Sequence, residues 1–183
     1  MFLLLITILE TLFSTLSQKT LQTDFVVSVT QDIAQPLNVP GSATMHGNNF
    51  HLSLSELEVA YDGQTLYMYQ ADVNELTLST PTEEELLDVN PLAFAQALVD
   101  NSNVTERPSK DGASVYVTLT PKVQNTGLQR VVLKLRRQDA MPLSMEIKED
   151  KQNSTVTLKN PQFINSTPPF VIHKEGAYIN DLR

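Results

Sequence analysis

The chain has no cysteine, no tryptophan, only 7% aromatic residues, and 13 basic residues against 21 acidic ones. The missing cysteine excludes disulfides, thiolate metal sites, a cysteine nucleophile and the lipidated cysteine that a mature bacterial lipoprotein carries. It leaves the redox compartment open. A net charge of −8 and a pI near 4.8 give no basic footprint for a phosphate backbone, so nucleic acid is excluded as an expected partner. Electrostatic adhesion to an anionic membrane is disfavoured for the same reason. No apolar run approaches the roughly 20 residues of a transmembrane span. No G-x-S-x-G, P-loop, G-x-G-x-x-G or H-E-x-x-H pattern occurs, so nucleophilic, nucleotide and zinc-protease chemistry lack their minimal parts.

What is present is aliphatic. Hydrophobic residues make up 41% of the 183, mostly Val, Leu and Ile, which argues against disorder and for one domain spanning residues 1–183. The opening MFLLLITIL is similar to the apolar region of a secretory leader, but it lacks a basic start, is interrupted by Glu10 and precedes no small-residue cleavage site. Leu9, Leu12, Phe13 and Leu16 recur instead at helical spacing, with Glu10, Ser14, Thr15 and Ser17 opposite, which predicts an amphipathic helix. Residues 1–5 remain a candidate leader remnant.

Beyond that helix the apolar period changes from 3.6 to 2. Phe25, Val27 and Val29 predict a first strand over 24–30, and Pro36 to Gly41 reads as a connector. Phe50, Leu52 and Leu54 alternate with polar neighbours, followed by Leu57, Val59 and Tyr61. Leu76 and Leu78 do likewise, as do Val115, Val117 and Leu119, then Val131, Leu133 and Leu135, and Leu143, Met145 and Ile147. Weaker patterns occur at Val156 and Leu158 and at Phe170 and Ile172. Asp62-Gly63 is a hairpin turn, because Gly supplies the positive φ such turns require. About ten short strands predict one large antiparallel sheet, curled or nearly closed. One helical insertion interrupts it. Pro81 ends a strand, and Thr80 or Thr82 followed by Glu83, Glu84 and Glu85 forms a capped helix start. The insertion runs from Thr82 to Asp100 and is broken at Asn90-Pro91, where Pro91 opens a second short helix. Both helical pieces must bury apolar stripes, and the concave face of the sheet is the available surface.

Candidate chemistry is sparse. His46, His51 and His173 lack metal-ligand spacing, so no metal and no cofactor is expected. Three adjacent glutamates at a helix start read as solvated and dipole-stabilising rather than as an acid–base cluster. Asn103, Asn153 and Asn165 match the glycosylation acceptor pattern, as chance matches do in a chain rich in Asn, Ser and Thr. Tyr67, Met68 and Tyr69 form a strand that lines either a ligand site or ordinary core.

The segments DGQTLYMY at 62 to 69, NELTLSTPTEEELLDVNP at 74 to 91, YVTLTPK at 116 to 122 and INDLR at 179 to 183 resemble the LolA family of periplasmic outer-membrane lipoprotein carriers. The NP after the acidic helix is similar to LolA-like proteins of Bacteroidetes. The resemblance runs from about residue 8 to the last residue. It implies a mainly β (α+β) fold: an unclosed antiparallel β-barrel covered by short α-helices, whose cavity receives a lipoprotein's acyl chains. Phe50 matches a family aromatic facing that cavity, with Leu52 and Leu54 continuing its face. Phe25, Val27, Val59, Leu76 and Leu78 are expected to complete the lining together with Val117, Leu119, Leu133 and Met145. The helix from Ile6, with Leu9, Leu12, Phe13 and Leu16, resembles the family's first helix. Thr82 to Asp100 resembles its lid, with Leu86, Leu87, Phe94 and Leu98 facing the cavity. Where proteobacterial members carry a strand arginine that ties the lid shut, this chain reads Met45-His46-Gly47-Asn48. His46 is then either a substitute donor or an exposed turn-edge histidine.

The implied partners are acylated lipoproteins, an inner-membrane lipoprotein-releasing ABC transporter and an outer-membrane acceptor, with the protein a periplasmic monomer and not an enzyme. An open sheet edge leaves pairing with another copy available. A general periplasmic lipid-binding or envelope-stress sensor module on the same half-barrel is the alternative function.

Overall fold

The computed structural model describes residues 7–31, 37–123 and 127–183. The expected leader remnant at 1–5, the helix start at Ile6 and Pro36 lie outside them. Helix α1 (Ile8–Gln18) begins with a capping box: the Thr7 hydroxyl accepts from the Glu10 amide at 3.2 Å, and the Thr7 amide donates to the Glu10 carboxylate at 2.6 Å. Leu9, Leu12 and Leu16 of its predicted stripe are buried.

Twelve strands follow among the described residues. They are β1 (Thr20–Gln31), β2 (Leu37–His46), β3 (Asn49–Leu54), β4 (Leu57–Tyr61), β5 (Leu66–Gln70) and β6 (Glu75–Ser79), then β7 (Ser102–Pro108), β8 (Ser114–Pro121), β9 (Leu128–Arg136), β10 (Pro142–Glu149), β11 (Gln152–Ile164) and β12 (Tyr178–Asp181). Between β6 and β7 stand α2 (Glu83–Val89), α3 (Pro91–Leu98) and a 3-10 turn at Val99–Asn101. All strands join one sheet in the order β12-β6-β5-β4-β3-β2-β1-β11-β10-β9-β8-β7. The ends of that order, β12 and β7, do not pair, so the sheet is wide and unclosed. Every ladder is antiparallel except β12 on β6, which is parallel.

The structure departs from the sequence reading in several places: β1 begins at Thr20 rather than at residue 24, and the sheet expected to be antiparallel has a parallel pair at β12 and β6. Residues 37–41, expected as connector, belong to β2, because Pro40 pairs with Val26 on β1 at a height where β3 has not yet begun. Among the described residues no strand pairs with Pro40 on its other side, so β2 is an edge at that height, where a proline is tolerated. Phe170 and Ile172 are buried at 4% and 3% exposure but in irregular backbone rather than a strand. Strands β7 and β12 carry no clear alternation. The burial of β7 ends after Ser102, so its side chains gave no pattern to read.

Cross-strand register decides which face each strand turns inward. Phe50 pairs with Tyr61 and Leu52 with Val59, and Val59 with Met68, all on the concave face. Tyr67 and Tyr69 pair with Leu78 and Leu76 on the opposite face. Those two leucines therefore sit with Ala60 and Ile172 in a second, smaller cluster under the C-terminal segment. That segment is fastened by the Asn74 side chain donating to the Gly176 carbonyl at 3.0 Å and by the ion pair of Lys174 with Glu58.

Candidate functional site

The concave face is divided into a filled part and an open part. On β8 and β9, Val117, Leu119, Val131, Leu133 and Leu135 are fully buried in one cluster with the α1 leucines. Across β1 to β4, β10 and β11 an apolar cavity of about 280 Å³ remains, roofed by α2 and α3.

The alternating residues of β1 form its floor. Leu21, Thr23, Phe25 and Val27 line it, with Val156 opposite Val27 and Leu158 opposite Phe25 on β11. Ala43 and Met45 of β2, Leu52 and Leu54 of β3, and Leu57 and Val59 of β4 extend the wall on one side, and Met145 of β10 on the other. A Cβ placed on Gly41 would come within 2.5 Å of the Phe25 ring and 2.6 Å of the Ser53 carbonyl. Glycine at that position lets Phe25 lie flat across β2. The Thr23 hydroxyl is turned away to the Asp24 and Lys159 carbonyls, at 2.6 and 3.0 Å, and adds no free polarity to the interior.

The roof is two short helices meeting at one residue. Thr82 caps α2: its hydroxyl accepts from the Glu85 amide at 3.3 Å, and its own amide donates to the Glu85 carboxylate at 2.7 Å. Those Thr82 hydrogen bonds hold the Glu85 carboxyl below its ordinary pKa. Asn90 ends α2 and caps α3, accepting from the Ala93 amide at 3.1 Å, while Pro91 occupies the first helical position. Asn90 is buried at 3% exposure, which fixes the corner. The rest of the roof is lightly seated: α2 has no buried residue and α3 only Ala95. Helix α1, by contrast, buries three leucines, and its Leu16 carbonyl accepts from the Gly47 amide at 2.7 Å. Of the two covers expected from sequence, α1 is built in and α2–α3 is the looser.

The expected site residues divide accordingly. Phe25, Val27, Leu52, Leu54, Val59 and Met145 lie on the cavity. Val117, Leu119 and Leu133 do not, since they are consumed in the packed part of the core. Leu76 and Leu78 are on the other face of the sheet. Phe50 is fully buried beside a separate cleft shared with Leu86 and Leu87. In the roof, Val89, Pro91 and Leu92 face the cavity, whereas Leu86, Phe94 and Leu98 pack against the surrounding core. Leu9 and Leu12 are core, and Phe13 and Leu16 border a cleft between α1 and α3. Leu21, Ala43, Met45, Leu57, Val156 and Leu158 were missed as lining. The alternation of Ala43 and Met45 was hidden by Pro40-Gly41, and that of Val156 and Leu158 gave no face.

The three histidines lie off the cavity lining. His46 Nδ1 lies 3.2 Å from the Thr20 hydroxyl, and among the described residues no hydrogen bond or ion pair joins it to the roof. His51 Nε2 is 3.5 Å from Glu58, and His173 is exposed. Among the described residues no group of three His, Asp or Glu side chains is placed to hold a metal, and no helix is long and apolar enough to cross a membrane.

Residues 16–151 match the family described as outer membrane lipoprotein carrier protein LolA. An outer-membrane lipoprotein carrier protein of Ralstonia nicotianae is 30% identical over 141 residues, which cover 70% of this chain and 61% of that relative. The chain thus spans less than two thirds of the relative's length. In fold it is similar to an uncharacterized conserved protein of Thermus thermophilus, with a TM-score of 0.65 at 11% identity over 95% of this chain and 96% of the other. It is also similar to the MucA/MucB complex structure of Pseudomonas aeruginosa, with a TM-score of 0.52 at 15% identity over 88% of this chain and 57% of that one. An open sheet roofed by helices over an apolar cavity, carried by a sequence that matches across most of its length, makes this chain a member of the LolA family of outer membrane lipoprotein carrier proteins.

Proposed function

We propose that this chain is a periplasmic carrier that holds the acyl chains of lipoproteins under α2 and α3 and moves them from the inner to the outer membrane. It receives its cargo from an inner-membrane lipoprotein-releasing ABC transporter, passes it to an outer-membrane acceptor, acts as a monomer in one domain and catalyses no reaction. The observation that supports this reading is the apolar cavity beneath a roof helix with no buried residue.

Moving an acyl chain through water costs about 0.8 kcal/mol for each exposed CH₂. Aliphatic walls remove that cost without directional contacts, so cargo of varied protein sequence is accepted. Among the described residues the polar side chains of the lining are Thr23, whose hydroxyl is given to backbone carbonyls, and Asp88, which is exposed. At about 280 Å³ the cavity lies just below the roughly 300–1,000 Å³ of sites that enclose a drug-sized ligand. Acyl chains therefore enter as α2 and α3 lift, and release follows when Val89 and Leu92 settle back over the floor.

The test is release of labelled acylated lipoprotein from inner-membrane vesicles by the purified protein, with non-acylated cargo and Leu92→Glu as controls. Release of acylated cargo by the wild type alone is expected. Failure to release it, with phospholipid or fatty acid bound instead, would replace the carrier with a general lipid-binding or sensor module.

A further inference from the structure

Among the described residues Asp88 is the one charged side chain on the cavity lining, and no lysine, arginine or histidine shares that surface. It is exposed at the mouth, in the last turn of α2, and among the described residues no ion pair or hydrogen bond engages its carboxylate. The end of α2 does not by itself call for an acid there. The C-terminal end of a helix carries partial negative charge and is stabilised by Lys, Arg or His, whereas α2 has no base in its last turn and three further acids in its first. The N-terminus of α3, capped by Asn90, lies two residues on, but among the described residues no side chain pairs with the Asp88 charge, which stands beside the apolar cavity.

Resting on the acyl-carrier reading above, we infer that Asp88 sets the headgroup selectivity of the cavity. It disfavours amphiphiles with an anionic head and reserves the site for those whose head is neutral or cationic, such as an acylglyceryl group joined to a polypeptide. The apolar interior takes the chain, and a charged or hydrogen-bonding head stays outside because burying it unpaired is costly. The head is thereby held at the mouth, next to Asp88. An anionic head meets a like charge, with no cation on the lining among the described residues to offset it. Free fatty acids and acidic phospholipids are thereby turned away without any change to the walls.

Because Asp88 is exposed, the effect is modest and screened by salt. The experiment is displacement of the neutral probe N-phenyl-1-naphthylamine by laurate, monolaurin and dodecylamine below their micelle concentrations, at a pH where laurate is ionised and dodecylamine protonated. In the wild type, laurate should bind about two- to fivefold more weakly than monolaurin. That ratio should approach unity in Asp88→Asn and in high salt, and should favour laurate in Asp88→Lys. The same laurate-to-monolaurin ratio in all three proteins would overturn the inference while leaving the carrier reading intact. A wild type that binds neither the probe nor any of the three amphiphiles would overturn both.

Discussion

Asp62 carries the turn between β4 and β5. Its Oδ1 accepts from the Gln64 and Thr65 amides at 2.9 and 2.8 Å, and its Oδ2 from the Tyr67 hydroxyl at 3.0 Å. Burial by itself would raise the carboxyl, but these three donors outweigh it and hold Asp62 below its ordinary value. Burial and the adjacent Asp62 push the Tyr67 phenol up. A depressed carboxyl contributes stability that is present above the unfolded-state pKa and is lost as the pH falls through the folded-state one. Asp62→Asn keeps an acceptor for the two amides but gives up the charge and the match to Tyr67. It should cost about 1–2 kcal/mol near neutrality, with the difference from wild type closing below about pH 4. Denaturant unfolding across that range checks both the size and the sign. The Asp-Gly turn was legible in the sequence because its signal is local, and Gly63 has the expected positive φ of 99°.

At the scale of elements the roof is the part whose stability is separable from the rest. Thr82→Ala removes one hydrogen-bonding partner of the capping box and should cost about 1 kcal/mol. With no buried residue to anchor α2, that loss falls mainly on the helix itself. Amide exchange should accelerate over residues 83–89 while exchange in β1 and β11 stays slow. Equal acceleration in the sheet would mean that the roof unfolds only with the whole. The capped helix start, narrowed to Thr80 or Thr82, the Asn90-Pro91 break and the Pro91 helix start were readable in advance, since each rests on contacts within four residues. The placement of the apolar roof residues was not. The sequence reading points to Leu86, Leu87, Phe94 and Leu98, whereas Val89 and Leu92, on either side of buried Asn90, lie over the cavity.

Across the whole molecule the sheet carries two apolar faces with separate tasks. The concave face holds the cavity, and the outer face of β4 and β6 is sealed by Ile172 over Ala60, Leu76 and Leu78. Ile172→Ala should destabilise the protein by about 2–4 kcal/mol. It should leave affinity for a neutral acyl probe at the wild-type level, because Ile172 has no part in the lining. Thermal or denaturant melting paired with probe titration reads both. Loss of probe affinity at a temperature where the variant is still folded would join the two faces into one unit. The sequence alone determined the period of each strand, the hairpin, the helix caps and an aliphatic interior, because those signals repeat every two residues or close within a single turn. Only the tertiary structure decided which face of β6 points inward, that Val117 and Leu133 are consumed by packing while Phe25 and Leu54 stay open to the cavity, and that Pro40 sits inside a strand. Those outcomes follow from cross-strand register and from what packs over each part of the sheet, and both are set by residues far apart in the chain.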